Sequence, residues 1–229
     1  MIPSRTVALG VLFLASPAFA TVIDDFSVGP LALTAFDIAG EEQTQTGLDP
    51  AAVLGGTRRS YVGSTSGAQL GANLTIDTTQ RRMLFESDPK HGGYFQLEYG
   101  SVAPLNVDLT ADGGDRFVIE FSDLIIGPGP YLFNLRVISK SQGAIIVEGF
   151  DLMTAVDALS GSGTVEVPFS AFTNSDLTQV HSIRIAAARF PVNSQLAIRG
   201  FSTIPEPGSL SLLVGLSLLA FRRPFRKAV

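Results

Sequence analysis

The chain has 229 residues, 45% hydrophobic and 16% charged, with no cysteine and a formal net charge of −5. That length suits one globular domain with appended segments, and the missing cysteine excludes a disulfide framework, a thiolate nucleophile and a Cys-ligated zinc site. Residues 21–203 carry 20 Asp and Glu against 11 Lys and Arg, a net of −9. Such a body lacks the basic footprint of a nucleic-acid binder and repels acidic polymers unless divalent ions bridge them.

The N-terminus predicts a secretory signal over residues 1–20. Arg5 supplies the positive start, residues 7–15 form an apolar run, and Ala18-Phe19-Ala20 is a small-x-small cleavage site that leaves Thr21 as the mature start. The secretion translocon and signal peptidase are the partners this implies.

From residue 21 to residue 203 the dominant period is two, so the body is expected to be all-β. Val22-Ile23-Asp24-Asp25-Phe26 opens it. Asp24 and Asp25 are the candidates for a structural calcium site, since calcium takes oxygen ligands. Neighbours on a strand point to opposite faces, so only one of the two can reach any one site. No other cofactor is expected. Residues 40–48, with Glu41-Glu42-Gln43-Thr44-Gln45-Thr46, predict a polar, mobile loop.

Arg58 and Arg59 form a basic pair in an acidic body, one suited to a salt bridge at the sandwich edge and one to solvent. Arg58, Tyr61 and Tyr94 make the candidate ligand-contact set. A guanidinium forms planar hydrogen bonds, and a sugar ring stacks on an aromatic face, which in a chain without Trp falls to tyrosine.

Residues 74–77 and 81–86 predict a hairpin about Thr78-Thr79-Gln80. Phe95, Leu97 and Tyr99 predict a strand with Gln96 and Glu98 outward. The same alternation recurs at Phe117, Ile119 and Phe121, at Phe133, Leu135 and Val137, at Val165, Val167 and Phe169, at Ile183, Ile185 and Ala187, and at Leu196 and Ile198. Short helical turns are expected within residues 151–159 and 170–177. The number of strands suits a two-sheet, jelly-roll-like β-sandwich over residues 21–203.

His91 could pair with Asp88, but two distant histidines make no metal site. Asp108, Asp112 and Asp115 crowd a Gly-Gly turn without the EF-hand spacing and read as solvated carboxylates. No nucleophile elbow, phosphate loop or zinc-protease motif occurs, so the chain is read as noncatalytic. The alternative is a secreted, carboxylate-dependent hydrolase such as a glycosidase, which needs two facing acids.

Residues 204–229 contain Pro205-Glu206-Pro207, a second apolar run over residues 210–221, and then Arg222, Arg223, Arg226 and Lys227. The prolines hold the chain extended. A helix over residues 208–221 would span about 21 Å against a hydrocarbon core of about 30 Å, a gap that arginine snorkelling and bilayer thinning can close. The cations place the tail on the cytoplasmic side and the body outside.

This order of triplet, apolar helix and arginine pair resembles the PEP-CTERM sorting signal of exported proteins in Gram-negative, biofilm-forming bacteria. The resemblance implies processing near Pro205, Glu206 and Pro207 by an exosortase, with Arg222 and Arg223 as part of the signal. It implies membrane anchoring before processing, then a cell-surface or extracellular location.

The body itself resembles galactose-binding-like β-sandwiches, through Val22-Ile23-Asp24-Asp25-Phe26, Gly55-Gly56-Thr57-Arg58-Arg59, Val165-Glu166-Val167-Pro168-Phe169 and Leu196-Ala197-Ile198-Arg199-Gly200-Phe201. That class is common among carbohydrate-binding modules and implies extracellular polysaccharide as a partner. Arg199 stands where such domains often carry an aspartate, which departs from their calcium pattern.

Overall fold

The computed structural model describes residues 20–65, 71–111, 113–141 and 143–205. The expected signal segment lies outside these residues save for Ala20, as does the sorting tail save for residues 204 and 205. No helix among the described residues is long and apolar enough to cross a membrane.

Alternating apolar and polar residues give strands with one packed face, and thirteen form among the described residues. In chain order they are β1 (Thr21–Asp24), β2 (Leu31–Ala35), β3 (Glu41–Thr46), β4 (Thr57–Ser64), β5 (Ala72–Asp77), β6 (Arg82–Ser87) and β7 (Gly93–Tyr99). There follow β8 (Gly114–Ile125), β9 (Leu132–Ser141), β10 (Ala144–Asp151), β11 (Gly163–Pro168), β12 (Val180–Phe190) and β13 (Gln195–Pro205). One short helix, α1 (Met153–Asp157), falls within the expected segment, and a 3₁₀ turn at Phe169–Ala171 overlaps the other.

The strands make two antiparallel sheets that pack face to face. The seven-stranded sheet runs β11-β8-β13-β6-β5-β2, with β1 added against β13. The six-stranded sheet runs β10-β9-β12-β7-β4-β3. The expected β5–β6 hairpin forms, with Asp77 opposite Arg82. The segment expected to be a mobile loop is instead β3, the edge strand paired to β4 from Glu41↔Val62 to Thr46↔Thr57. It has no apolar residue to signal a strand, and its partner's backbone fixes it.

The core is sealed by aromatic rings from both sheets. Phe85 of the seven-stranded sheet lies 5.1 Å from Phe95 and 5.6 Å from Phe190, both of the six-stranded sheet. Phe133 completes the group, 6.1 Å from Phe95. A second group gathers on Phe117, 4.9 Å from Phe169 and 6.0 Å from Phe201. These contacts are tilted or edge-on, the arrangements ring quadrupoles prefer.

One half-buried carboxylate organises the loop that enters β12. Glu148 on β10 accepts the backbone N–H of Thr173 at 3.0 Å, of Asn174 at 3.0 Å and of Ser175 at 2.9 Å. Partial burial pushes its carboxyl up, but these donors outweigh that effect and hold it below the ordinary glutamate range. The stabilisation is therefore complete above that range and is lost as pH falls through the lowered value. Glu148→Ala is expected to speed hydrogen exchange at residues 173–175 at neutral pH. It should also flatten the acid limb of the stability–pH curve, read by thermal melts.

Candidate functional site

Consecutive residues of β4 serve opposite faces. Arg58, Ser60 and Val62 point into the sandwich, while Arg59 and Tyr61 point out. Arg58, expected to contact ligand, is fully buried. Its guanidinium meets the Asp24 carboxylate at 2.7 Å and donates to Gly29 O at 2.7 Å, Val28 O at 3.0 Å and Gln45 Oε1 at 2.9 Å. Fully buried, this guanidinium is out of reach of a ligand, and Arg58 is a structural residue.

Asp24 enters the core because the β1–β13 register shifts between Val22 and Asp24, which turns both Ile23 and Asp24 inward. Its other partners are the Tyr99 hydroxyl at 2.9 Å and the Phe26 amide at 2.8 Å. Burial drives the Asp24 carboxyl above its usual range against the pull of Arg58, the Phe26 amide and Tyr99, and drives the Tyr99 hydroxyl well above its own. Asp25 faces elsewhere, bonded to Ser27 at 2.6 Å and to Arg81. The two candidate calcium ligands are therefore committed to different partners, and no cluster of three metal-ligating side chains occurs among the described residues.

The outward residues of the six-stranded sheet form two adjacent rows. Register places Thr44, Arg59, Glu98, Arg184, Arg136 and Gly149 in one, crossing β3 to β10. The other holds Glu42, Tyr61, Gln96, Ala186, Asn134 and Asp151. Glu98 is the centre of the first row. It accepts Arg184 at 3.0 Å and Arg59 at 3.4 Å, which leaves it buried although it lies on the outward face, as expected. Glu42 holds Arg59 from the other side at 2.6 Å, and this hydrogen bond keeps its carboxyl below the usual range.

Tyr61 and Tyr94 do come together, with ring centroids 5.6 Å apart and hydroxyls at 3.2 Å. Their hydroxyls donate into the loop before β3, Tyr61 to Ala39 O at 2.8 Å and Tyr94 to Ile38 O. Burial and the Tyr61 hydroxyl push Tyr94 up to about 12. Gly63 makes room for this ring, since a Cβ would fall 2.1 Å from Tyr94 Cζ. Each tyrosine is half-buried, with its hydroxyl engaged by a loop carbonyl.

Beyond this pair the face dips into a hollow of about 270 Å³ between β9 and β10, lined by Leu132, Asn134, Arg136, Gly149 and Asp151 among others. Asn134 and Arg136 read as outward from their alternation, but their meeting with Arg184 depends on strand pairing, which the sequence does not display. The remaining candidates lie apart. His91 meets Asp88 at 3.2 Å. Asp108 caps Thr110 at 2.8 Å and Asp115 pairs with Arg116 at 2.8 Å, while Asp112 lies outside the described residues. Arg199 is exposed at an irregularity of β13.

No protein-family model matches this sequence, and comparison with curated proteins finds no match. Among solved structures, the chain is similar to a family 11 carbohydrate-binding module of a cellulosomal cellulase of Clostridium thermocellum, at 13% identity and a TM-score of 0.40, covering 83% of this chain and 97% of that one. A family 30 carbohydrate-binding module of the same organism is similar at 11% identity and a TM-score of 0.35, covering 77% and 99%. An exo-1,3/1,4-β-glucanase of a Pseudoalteromonas species is similar at 14% identity and a TM-score of 0.42, over 88% of this chain but 22% of that enzyme.

Proposed function

We propose that this chain is an exported, noncatalytic β-sandwich that an exosortase processes for the cell surface or extracellular matrix, where it binds polysaccharide. The export reading is supported by the ordered signal, triplet, apolar run and basic tail of the sequence. The binding reading is carried by one observation, the two rows across the outer face of the six-stranded sheet in which Arg59, Glu98, Arg184, Arg136, Tyr61, Gln96 and Asn134 present hydrogen-bonding side chains. From β4 to β9 they extend about 14 Å at ordinary strand spacing, enough for an oligosaccharide. Tyr61 and Tyr94 offer ring faces at one end, and a ring-sized hollow lies at the other.

Hydrolysis fits this face poorly. A glycosidase needs one carboxyl kept protonated near a second carboxylate. Here Glu98 holds two guanidiniums, Glu42 is held ionised by Arg59, and Asp151 accepts the Met153 amide at 2.9 Å.

The test is binding of the full chain, purified in mild detergent, to immobilised polysaccharides. Arg184→Gln keeps an N–H for Glu98 but removes the charged fork. It is expected to weaken binding about tenfold or more, the loss of one charge-assisted hydrogen bond. Retention on none of the polysaccharides, with the sandwich intact by circular dichroism, would refute the binding reading.

A further inference from the structure

The net charge of the body conceals an uneven distribution. On the outer face of the six-stranded sheet, Arg59, Arg136, Lys140 and Arg184 stand against Glu42, Glu98 and Asp151. On the outer face of the other sheet, Asp77, Glu86, Glu120, Asp123 and Glu166 stand against Arg82, Arg116 and Arg199. The surplus cations of the first face gather on β12 and β9, away from Glu42.

Two features there are unfavourable in the sandwich alone. Arg184 and Arg136 are direct cross-strand partners, and like charges so placed repel. Glu98, the carboxylate of their row, is already shared by Arg59 and Arg184. Among the described residues Arg136 has no ion pair and no hydrogen bond, and it is exposed. Gly149 is its neighbour on β10, where a Cβ would sit 3.4 Å from the Arg136 stem. The missing side chain opens the hollow beside the free guanidinium.

We propose that this part of the face takes a carboxylated sugar, the uronate unit of an acidic polysaccharide, with its carboxylate against Arg136 and Arg184. The reading rests on the glycan-binding assignment above. A guanidinium fork matches a carboxylate in two parallel hydrogen bonds, which a neutral sugar cannot supply. The ring occupies the hollow over Gly149. Asp151, whose Oδ1 already accepts Met153 N, offers its other oxygen to ring hydroxyls. An acid-rich chain thereby binds an acidic polymer without a bridging cation.

The experiment compares polygalacturonate with the same polymer after carboxyl reduction, using the full chain with EDTA present. The charged polymer is expected to bind at least tenfold more tightly, and more weakly as salt is raised. Arg136→Gln should erase this preference. Gly149→Leu, which fills the hollow, should reduce binding of both polymers, and Arg82→Gln on the opposite sheet should change neither. Equal affinity for the two polymers would overturn the uronate proposal and leave general glycan binding standing. Acid-polymer binding that vanishes with EDTA would also overturn it, because calcium would then be the bridge. Binding to neither polymer, with neutral β-glucan bound, overturns the proposal alone; binding to none of the three overturns both readings.

Discussion

Arg58→Met is expected to destabilise the sandwich by about 3–5 kcal/mol, the usual consequence of stranding one member of a buried ion pair. Asp24 would keep the Tyr99 hydroxyl and the Phe26 amide but lose its only cation among the described residues, at zero exposure for both side chains. The carbonyls of Val28 and Gly29 would lose their donor together. These groups tie β1 and the loop behind it, in one sheet, to β4 and β7 in the other. For a domain of this size the thermal midpoint should fall by roughly 10 °C or more. The double variant Asp24→Leu with Arg58→Met leaves no charge stranded and should recover much of the loss. A single variant that melts within a degree or two of the parent would show that the pair does not hold the sheets in this way.

Removal of Arg222 and Arg223, or Glu206→Ala, is expected to leave the unprocessed chain in the membrane fraction. The helix expected from the sequence of residues 208–221 would span about 21 Å, short for the bilayer, so its hold would depend on cations that reach the headgroups on the far side. Without them the triplet would not be fixed at the opposite surface for a membrane-embedded protease. The triplet also follows the folded body without a spacer, since β13 carries the sandwich up to Pro205. Normal release of both variants into the medium, followed by immunoblot of cell and medium fractions, would refute the sorting assignment.

How much of this could be read in advance depends on where each residue's partner lies in sequence. Phe117, Ile119 and Phe121, or Phe133, Leu135 and Val137, carry their burial in their own alternation, so the strands and the sandwich were legible. β3 was not, because only Gln45 is partly buried, as an amide, and the strand has no apolar period to show. Gln45 points in to meet the Arg58 guanidinium, a partner thirteen residues away. Arg58 itself carried a usable sign. It shares the parity of Val62, which is buried, so the phase of β4 already assigned it inward and Arg59 outward. The bulge that turns Asp24 into the core has no local signature. Nor does the row that sets Arg136 against Arg184, since it depends on which strands become neighbours rather than on either segment.

β13 pairs along one edge with β8 and along the other with β6 and then β1, so the strand that leads to the tail is flanked on both sides. A pull applied at Pro205 acts along the strand axis, parallel to its neighbours. Hydrogen bonds so loaded must break together in shear, whereas an edge strand pulled sideways unzips one bond at a time. A domain held by this end would therefore unfold only when many of those bonds yield at once.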